Sequence, residues 1–252
     1  MTNTPPPIKH WLFLRGLARE SGHWETFIND CQRQLGWQCH SLDLPGFGRA
    51  YQQRSPLSIP DIRNALQARL QLPADQPLGI VALSLGAMVA LDWLRAEPSR
   101  IHHVILINSS SADCLPWQRL QLAVLPQLLR ALCARSIADQ EQAILRLVSN
   151  TQPVTLALLN QHCELRRRHP ALRRNVLRQL WAAARFRAPA ALAPHQQLLL
   201  VASRADRMVS WRCSVKLAQR YQCALRLHNS AGHDLPIDDG DWLIQQFPRY
   251  CP

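Results

Sequence analysis

The chain of 252 residues contains no apolar run approaching the roughly 18 to 20 residues that a bilayer-spanning helix requires. Its eight cysteines (31, 39, 114, 133, 163, 213, 223 and 251) include no C-x-x-C pair. None stands near histidines at the spacing of a zinc site, so no metal is expected. A chain of this length can bury enough apolar surface to fold without crosslinks, and the thiols are read as reduced. The opening "MTNTPPPIKH" has neither a basic n-region followed by an apolar stretch nor a small-residue cleavage site, which makes a cytoplasmic location the expectation. No internal repeat appears, and low complexity is confined to three early prolines.

Acidic residues are also scarce, with 17 Asp and Glu against 29 Lys and Arg, for a formal charge of +12. The excess is local. Between Ala112 and Ala190 stand twelve Arg, no Lys and four acids (Asp113, Asp139, Glu141, Glu164), a net +8. An imbalance of this kind implies an acidic partner or surface. No nucleic-acid recognition motif accompanies it, so nucleic acid is not the expected partner.

With 47% hydrophobic and 18% charged residues, the composition is globular. "HWLFLRG", "WQCHSLDLPG", "PLGIVALS", "IHHVILINSS", "HQQLLLVASRAD" and "QCALRLHNSAGHD" each end an apolar run on a loop signal. Amphipathic stretches separate them. "HWETFINDCQRQL" sets Trp24, Phe27, Ile28, Cys31 and Leu35 at helical spacing, and "SIPDIRNALQARLQL" offers Ser58 as a cap with Ile62, Leu66 and Leu70 at steps of four. Alternating strands and helices, with fully apolar short strands, predict an α/β fold whose mainly parallel central sheet carries helices on both faces. From Leu115 to Phe186 the pattern is helical only, with stops or kinks at Pro126, Pro153 and Pro170. Residues 112–190 are therefore read as an inserted helical lid, and 9–111 with 191–252 as the core.

Four loops at strand ends carry the candidate chemistry. Ser84 follows "LGIVAL" and precedes a helix in the frame Ala82-x-Ser84-x-Gly86. A sharp strand-to-helix turn lifts such a hydroxyl off the sheet edge and needs small residues two before and two after it. A serine hydroxyl is a poor nucleophile near neutral pH without a base, itself oriented by a carboxylate. Asp206 stands just after one strand and His233 in a small-residue loop after the last, so serine, acid and histidine come in the expected order. Taken alone, Asp206 reads as a turn or cap residue and Ser84 as a core hydroxyl. Asp234 reads as a cap for the loop rather than as the acid. An oxyanion needs preorganised N–H donors. The N–H of Leu85 supplies one, and the N–H of Leu17, in the loop "LRGLARESGHW" opened by Gly16, supplies the other.

Together "FLRGLA", "DLPGFGR", "ALSLGA", "SRADRMVS" and "AGHDLP" resemble the α/β-hydrolase family, serine esterase branch, over nearly the whole chain. Within it the chain is most similar to the carboxylesterases that demethylate pimeloyl-acyl-carrier-protein methyl ester in biotin synthesis. "DLPGFGR" and a short four-helix lid carry that closer likeness. The resemblance implies a cofactor-free serine carboxylesterase with Ser84 as nucleophile, Asp206 as acid, His233 as base and Leu17 and Leu85 as oxyanion donors. The chain departs from the family with Arg15-Gly16 in place of His-Gly and Ala82 in place of glycine. A general short-chain esterase or thioesterase, or a non-catalytic binding module on the same scaffold, are the alternatives.

In the helix "ALRRNVLRQLWAAARF", Arg174, Arg178 and Arg185 fall within about 40° of one another on a helical wheel, with Leu172, Val176 and Leu180 opposite. "LRRRH" at 165–169 adds to this basic patch. One reading is a solvated outer face. The other is a grip for an acidic acyl carrier protein and its phosphate-bearing arm, since guanidinium forks suit carboxylate and phosphate. "WQRLQLAVLPQLLRAL" is amphipathic, which fits a lid helix or a membrane-surface helix, without stable membrane insertion.

Overall fold

The computed structural model describes residues 8–193 and 197–248, so the early prolines, His195 at the start of the fifth predicted strand, and Cys251 lie outside the described residues. The six apolar runs form six strands: β1 His10–Leu14, β2 Gln38–Ser41, β3 Leu78–Leu83, β4 Ile101–Ile107, β5 Gln197–Ser203 and β6 Ala224–His228. They make one sheet in the order β2-β1-β3-β4-β5-β6, with every neighbouring pair parallel. The chain order doubles back at β1, so the strands diverge from that point to either edge. The carboxyl ends of β1, β3, β4, β5 and β6 lie along one rim, where such folds place their chemistry.

Alternation along each strand sorts side chains to two cores. Leu12, Leu14, Ile80, Ala82, Val104 and Leu106 face one side, under α2 (Ile59–Gln67), α3 (Leu85–Ala96) and α9 (Trp211–Tyr221). Trp11, Phe13, Val81, Leu83, Ile105 and Ile107 face the other, under α1 (Phe27–Leu35) and α10 (Leu235–Gln245). Burying a leucine or isoleucine contributes about 1.5–3 kcal/mol relative to leaving it in water. The continuously apolar β3 is buried on both faces for this reason.

Caps place the helix ends. Ser58 Oγ accepts the N–H of Asp61 at 3.2 Å, with Pro60 in the first turn of α2, and Ile59, Ile62 and Leu66 are buried. The helix stops at Gln67, so Leu70, expected on its apolar face, packs against the core from outside it. Trp24 likewise stands apart from α1. It closes a short 3-10 turn, Ser21–Trp24, and Glu25 at φ 52° interrupts the chain before α1 begins.

Between β4 and β5 run α4 (Pro116–Arg119), α5 (Leu125–Cys133), α6 (Ile137–Val148), α7 (Leu156–Arg168) and α8 (Arg173–Arg185). Pro126 lies in the first turn of α5, whereas Pro153 and Pro170 separate α6 from α7 and α7 from α8. The N–H of Ala112 donates to the carbonyl of Phe186 at 2.7 Å and closes the neck of this inserted segment. Among the described residues no helix is long and apolar enough to cross a membrane.

Candidate active site

Ser84 occupies the joint between β3 and α3 at φ 56° and ψ −114°, a backbone conformation uncommon for a residue with a side chain. Strain of this kind costs on the order of 1–3 kcal/mol and persists where its surroundings hold it. Two bonds hold this one: the N–H of Ser84 donates to Ile107 O at 2.8 Å, and Ser109 Oγ donates to Ser84 O at 3.0 Å. Gly86 explains the small-residue requirement. A Cβ there would stand 2.5 Å from the carbonyl oxygen of Arg15 and 2.6 Å from that of Leu14, so only glycine lets α3 start against the end of β1. Ala82 sits wholly buried in β3, paired with Leu14 and Leu106, and its methyl group packs in the core below the turn.

The loop after β1 faces the same joint. A Cβ on Gly16 would lie 3.1 Å from the Cβ of Ser84, so the loop packs directly against the nucleophile turn. Among the described residues the N–H groups of Leu17 and Leu85 donate to no protein acceptor. Both are thus open to bind an oxygen.

His233 and Asp206 form a pair, with Nδ1 and Oδ2 at 2.7 Å. Asp206 is also the turn residue that its position at a strand end suggests. Its other oxygen accepts the N–H groups of Met208 at 2.7 Å and Val209 at 3.0 Å, which fixes the carboxylate toward the histidine. Burial would lower the pKa of His233, but attraction and hydrogen bonding from Asp206 outweigh it and the net shift is upward. Asp234 adds to the rise and Arg15 opposes it. Among the described residues no hydrogen bond joins Ser84 Oγ to His233. The histidine loop and the end of β5, which leads to Asp206, meet through Asn108, which the sequence reading missed. Its side chain donates to His233 O at 2.8 Å and Gly232 O at 3.3 Å and accepts the N–H of Ser203 at 2.8 Å. Asn108 itself stands at φ 47° directly after β4. The signal was an asparagine ending the apolar run "ILIN", a residue type that tolerates this conformation and hydrogen-bonds backbone groups.

Asp234 is not the loop cap that its position suggested, since its side chain caps nothing in α10. It forms a buried bidentate pair with Arg15, the residue that replaces the expected histidine; Nη1 donates to Oδ1 at 3.1 Å and Nη2 to Oδ2.

The arginine helix departs from its expected face. The buried side of α8 is Asn175, Gln179 and Ala182, whereas Leu172, Leu177, Leu180 and Trp181 are exposed. Polar groups do the docking. Asn175 accepts the N–H of Ser55 and donates to Gln53 O, both at 3.1 Å, and Gln179 donates to Pro45 O at 3.3 Å. The receiving surface runs from Pro45 in "DLPGFGR" to Gln53 and Ser55 just beyond it, and "DLPGFGR" is cinched by Asp43, whose carboxylate accepts the N–H groups of Ser21 at 2.6 Å and Arg49 at 2.8 Å. Arg178 is consumed here, donating through Nε to Ser55 O, so it is not part of an open patch. Arg174 is exposed, and Arg185 lies over the Trp181 ring at 5.4 Å. In "LRRRH", Arg166 turns inward to Glu141 at 3.2 Å and Arg168 pairs with Glu164 at 2.8 Å.

His23, Glu141 and His162 bring donor atoms within 4.8 Å of one another, a metal-like cluster that sequence spacing did not reveal. Arg19 occupies it. Its Nη1 lies 2.6 Å from Glu141 Oε2 and 3.2 Å from His23 Nε2, a guanidinium where a cation would have to sit. Burial would raise the Glu141 carboxyl, yet Arg19, His162 and Arg166 hold it down at about 2, while burial and Arg19 push His23 well below its ordinary value. The cluster ties α6 and α7 to the segment after β1.

Residues 9–240 match the α/β-hydrolase fold family, and the chain belongs to it. Solved structures of similar fold include a membrane phospholipase A described as a bacterial virulence factor, with 18% identity over 96% of this chain and 78% of that one at a TM-score of 0.76. An enol-lactonase from Burkholderia xenovorans LB400 is 15% identical over 99% of this chain and 93% of its own, at a TM-score of 0.71. A type II thioesterase from the borrelidin biosynthetic cluster is 16% identical over 99% and 95%, at 0.63. No curated protein matches by sequence.

Proposed function

We propose that the chain is a cytoplasmic serine carboxylesterase that works through an acyl-enzyme, without metal or cofactor. The observation that carries this reading is the oriented His233–Asp206 pair, 2.7 Å apart, on the same rim as a serine held at positive φ. Ser84 Oγ attacks the ester carbonyl and passes its proton to Nε2 of His233, the ring nitrogen left over once Nδ1 binds Asp206. The N–H groups of Leu17 and Leu85 receive the negative oxygen of the tetrahedral intermediate. His233 then returns the proton to the departing alkoxide, and water, activated by the same histidine, hydrolyses the acyl-enzyme. Unpaired thiols at Cys31, Cys39, Cys114, Cys163, Cys213 and Cys223 suit a reducing compartment.

The substrate proposed is the methyl ester of pimeloyl-acyl carrier protein, the demethylation step of biotin synthesis, with residues 112–190 as lid. Exposed Arg174 and Arg185 suit an acidic carrier, and the lactonase, phospholipase and thioesterase of similar fold are named for acyl–oxygen or acyl–sulfur chemistry. A fluorophosphonate probe tests the chemistry: the native protein is labelled and Ser84→Ala is not. Equal labelling of both, or none of the native protein, defeats it. The substrate is tested by comparing the carrier-bound methyl ester with small free esters and thioesters, and by restoring growth without biotin in a cell lacking its own esterase.

A further inference from the structure

We propose that Arg15 and Asp234 are a positioning pair that locks the oxyanion loop, the nucleophile turn and the histidine loop into one rigid unit. This rests on the serine esterase reading above. The geometry is specific to three loops. Arg15 immediately precedes Gly16 and Leu17, and Asp234 immediately follows His233. The carbonyl of Arg15 lies against Gly86, two residues after Ser84, at a spacing no Cβ would survive. One residue thus touches the nucleophile turn with its backbone and the histidine loop with its side chain.

The pair is closed to solvent, with Arg15 only 2% exposed and Asp234 3%. Both fork bonds are made, and the guanidinium carbon sits 4.8 Å from the centroid of the Trp24 ring, which blocks its other face. Asp234 is fixed from behind as well, since its N–H donates to Val148 O at 2.8 Å and its own carbonyl accepts the N–H groups of Ile237 and Asp238. Arg15 Nε is left without a partner.

Stability alone is a poor reason for such a pair. Desolvating two charges costs about what their attraction returns, and well-packed apolar replacements are commonly as stable. What an ion pair of fixed fork geometry provides is orientation. Here it sets the distance between the loop that would donate to the oxyanion and the loop that carries the base. The charged groups facing His233 are Asp206, Asp234 and Arg15, and the last two pull its proton affinity in opposite directions. Removing one half of the pair therefore has an electrostatic signature that general loosening lacks.

The test uses Asp234→Asn and Arg15→Gln in the full chain. Each is expected to lower kcat by about tenfold to a hundredfold with KM little changed, the penalty for a small misplacement of reacting groups. His233 is followed by NMR titration in the same variants carrying Ser84→Ala, a readout independent of turnover. Its midpoint is expected to fall in Asp234→Asn and to rise in Arg15→Gln. A histidine midpoint unmoved in both variants overturns the proposal. Should a lone buried charge prevent folding, the double variant Arg15→Met/Asp234→Leu removes both charges at once. That protein is expected to fold and to show the same kcat loss, and wild-type kcat in it overturns the proposal. Failure of the probe to label the native protein would defeat the esterase reading instead, leaving the titration to decide what the pair does to His233.

Discussion

Gly16 and Ser84 approach so closely that a Cβ on the glycine would stand 3.1 Å from the Cβ of the serine. The contact sets the loop that carries Leu17 against the nucleophile turn, and it yields the first prediction. A branched side chain in Gly16→Val must push the loop away from the turn and, if Leu17 is the oxyanion donor proposed above, take that donor out of reach. Loss of one oxyanion donor costs roughly a hundred- to a thousandfold in kcat. Steady-state kinetics on a small ester should show that fall with KM changed far less.

The second prediction concerns proton affinity. In the mechanism proposed above His233 must be neutral to accept the serine proton, and its pKa is raised above the ordinary value of about 6.5. Raising the pKa keeps the ring protonated to higher pH, so kcat/KM should climb as pH passes a midpoint above 6.5, not below it. Asp206→Asn removes the largest contribution favouring the charged ring. Its midpoint should move down, while kcat drops by about 10⁴ because the imidazole loses its orientation and tautomer. A pH series on both proteins reads both effects.

Much of this was legible in the chain because the physics is local. Apolar runs ending on loop residues specify parallel strands, and all six formed where the pattern placed them, buried in β1, β3, β4 and β5 and only partly so in the edge strands β2 and β6. Ser84, Asp206 and His233 stood out because each follows such a run. What could not be read depends on partners distant in sequence. Asn108 contacts Ser203 and His233 across loops 95 and 125 residues away. Arg15 meets a carboxylate 219 residues on, so the sequence shows its departure from the family's histidine but not its partner. The face of α8 was misread because periodicity assumes that leucine faces inward. Here the surface offered by the segment from Pro45 to Ser55 is two backbone carbonyls and an N–H, and amide side chains satisfy it where leucine would leave it unpaired.

Asn108 supplies the third prediction. In Asn108→Ala the N–H of Ser203 and the carbonyl of His233 lose their partners inside a buried site. Leaving a buried polar group unpaired costs about 1–3 kcal/mol. Thermal unfolding should report a corresponding fall in Tm, and the histidine loop should exchange its amide hydrogens faster than in the native protein.

The fourth prediction separates the arginines that sequence grouped together. Arg178 is held by Ser55 O, so Arg178→Ala should weaken the docking of α8 and lower stability and turnover for every ester alike. Arg174 is exposed and Arg185 lies along an exposed Trp181, and among the described residues neither makes a hydrogen bond or ion pair with the core. If they meet an acidic carrier, their attraction acts mainly on the rate of encounter and is screened by salt. Turnover of the carrier-bound methyl ester by the native protein should then fall steeply between low and moderate ionic strength. Arg174→Glu/Arg185→Glu should lower kcat/KM for that substrate and flatten its salt dependence, with a much smaller change for a free methyl ester. A double variant that treats both esters alike would mean that the carrier, if one binds, docks elsewhere.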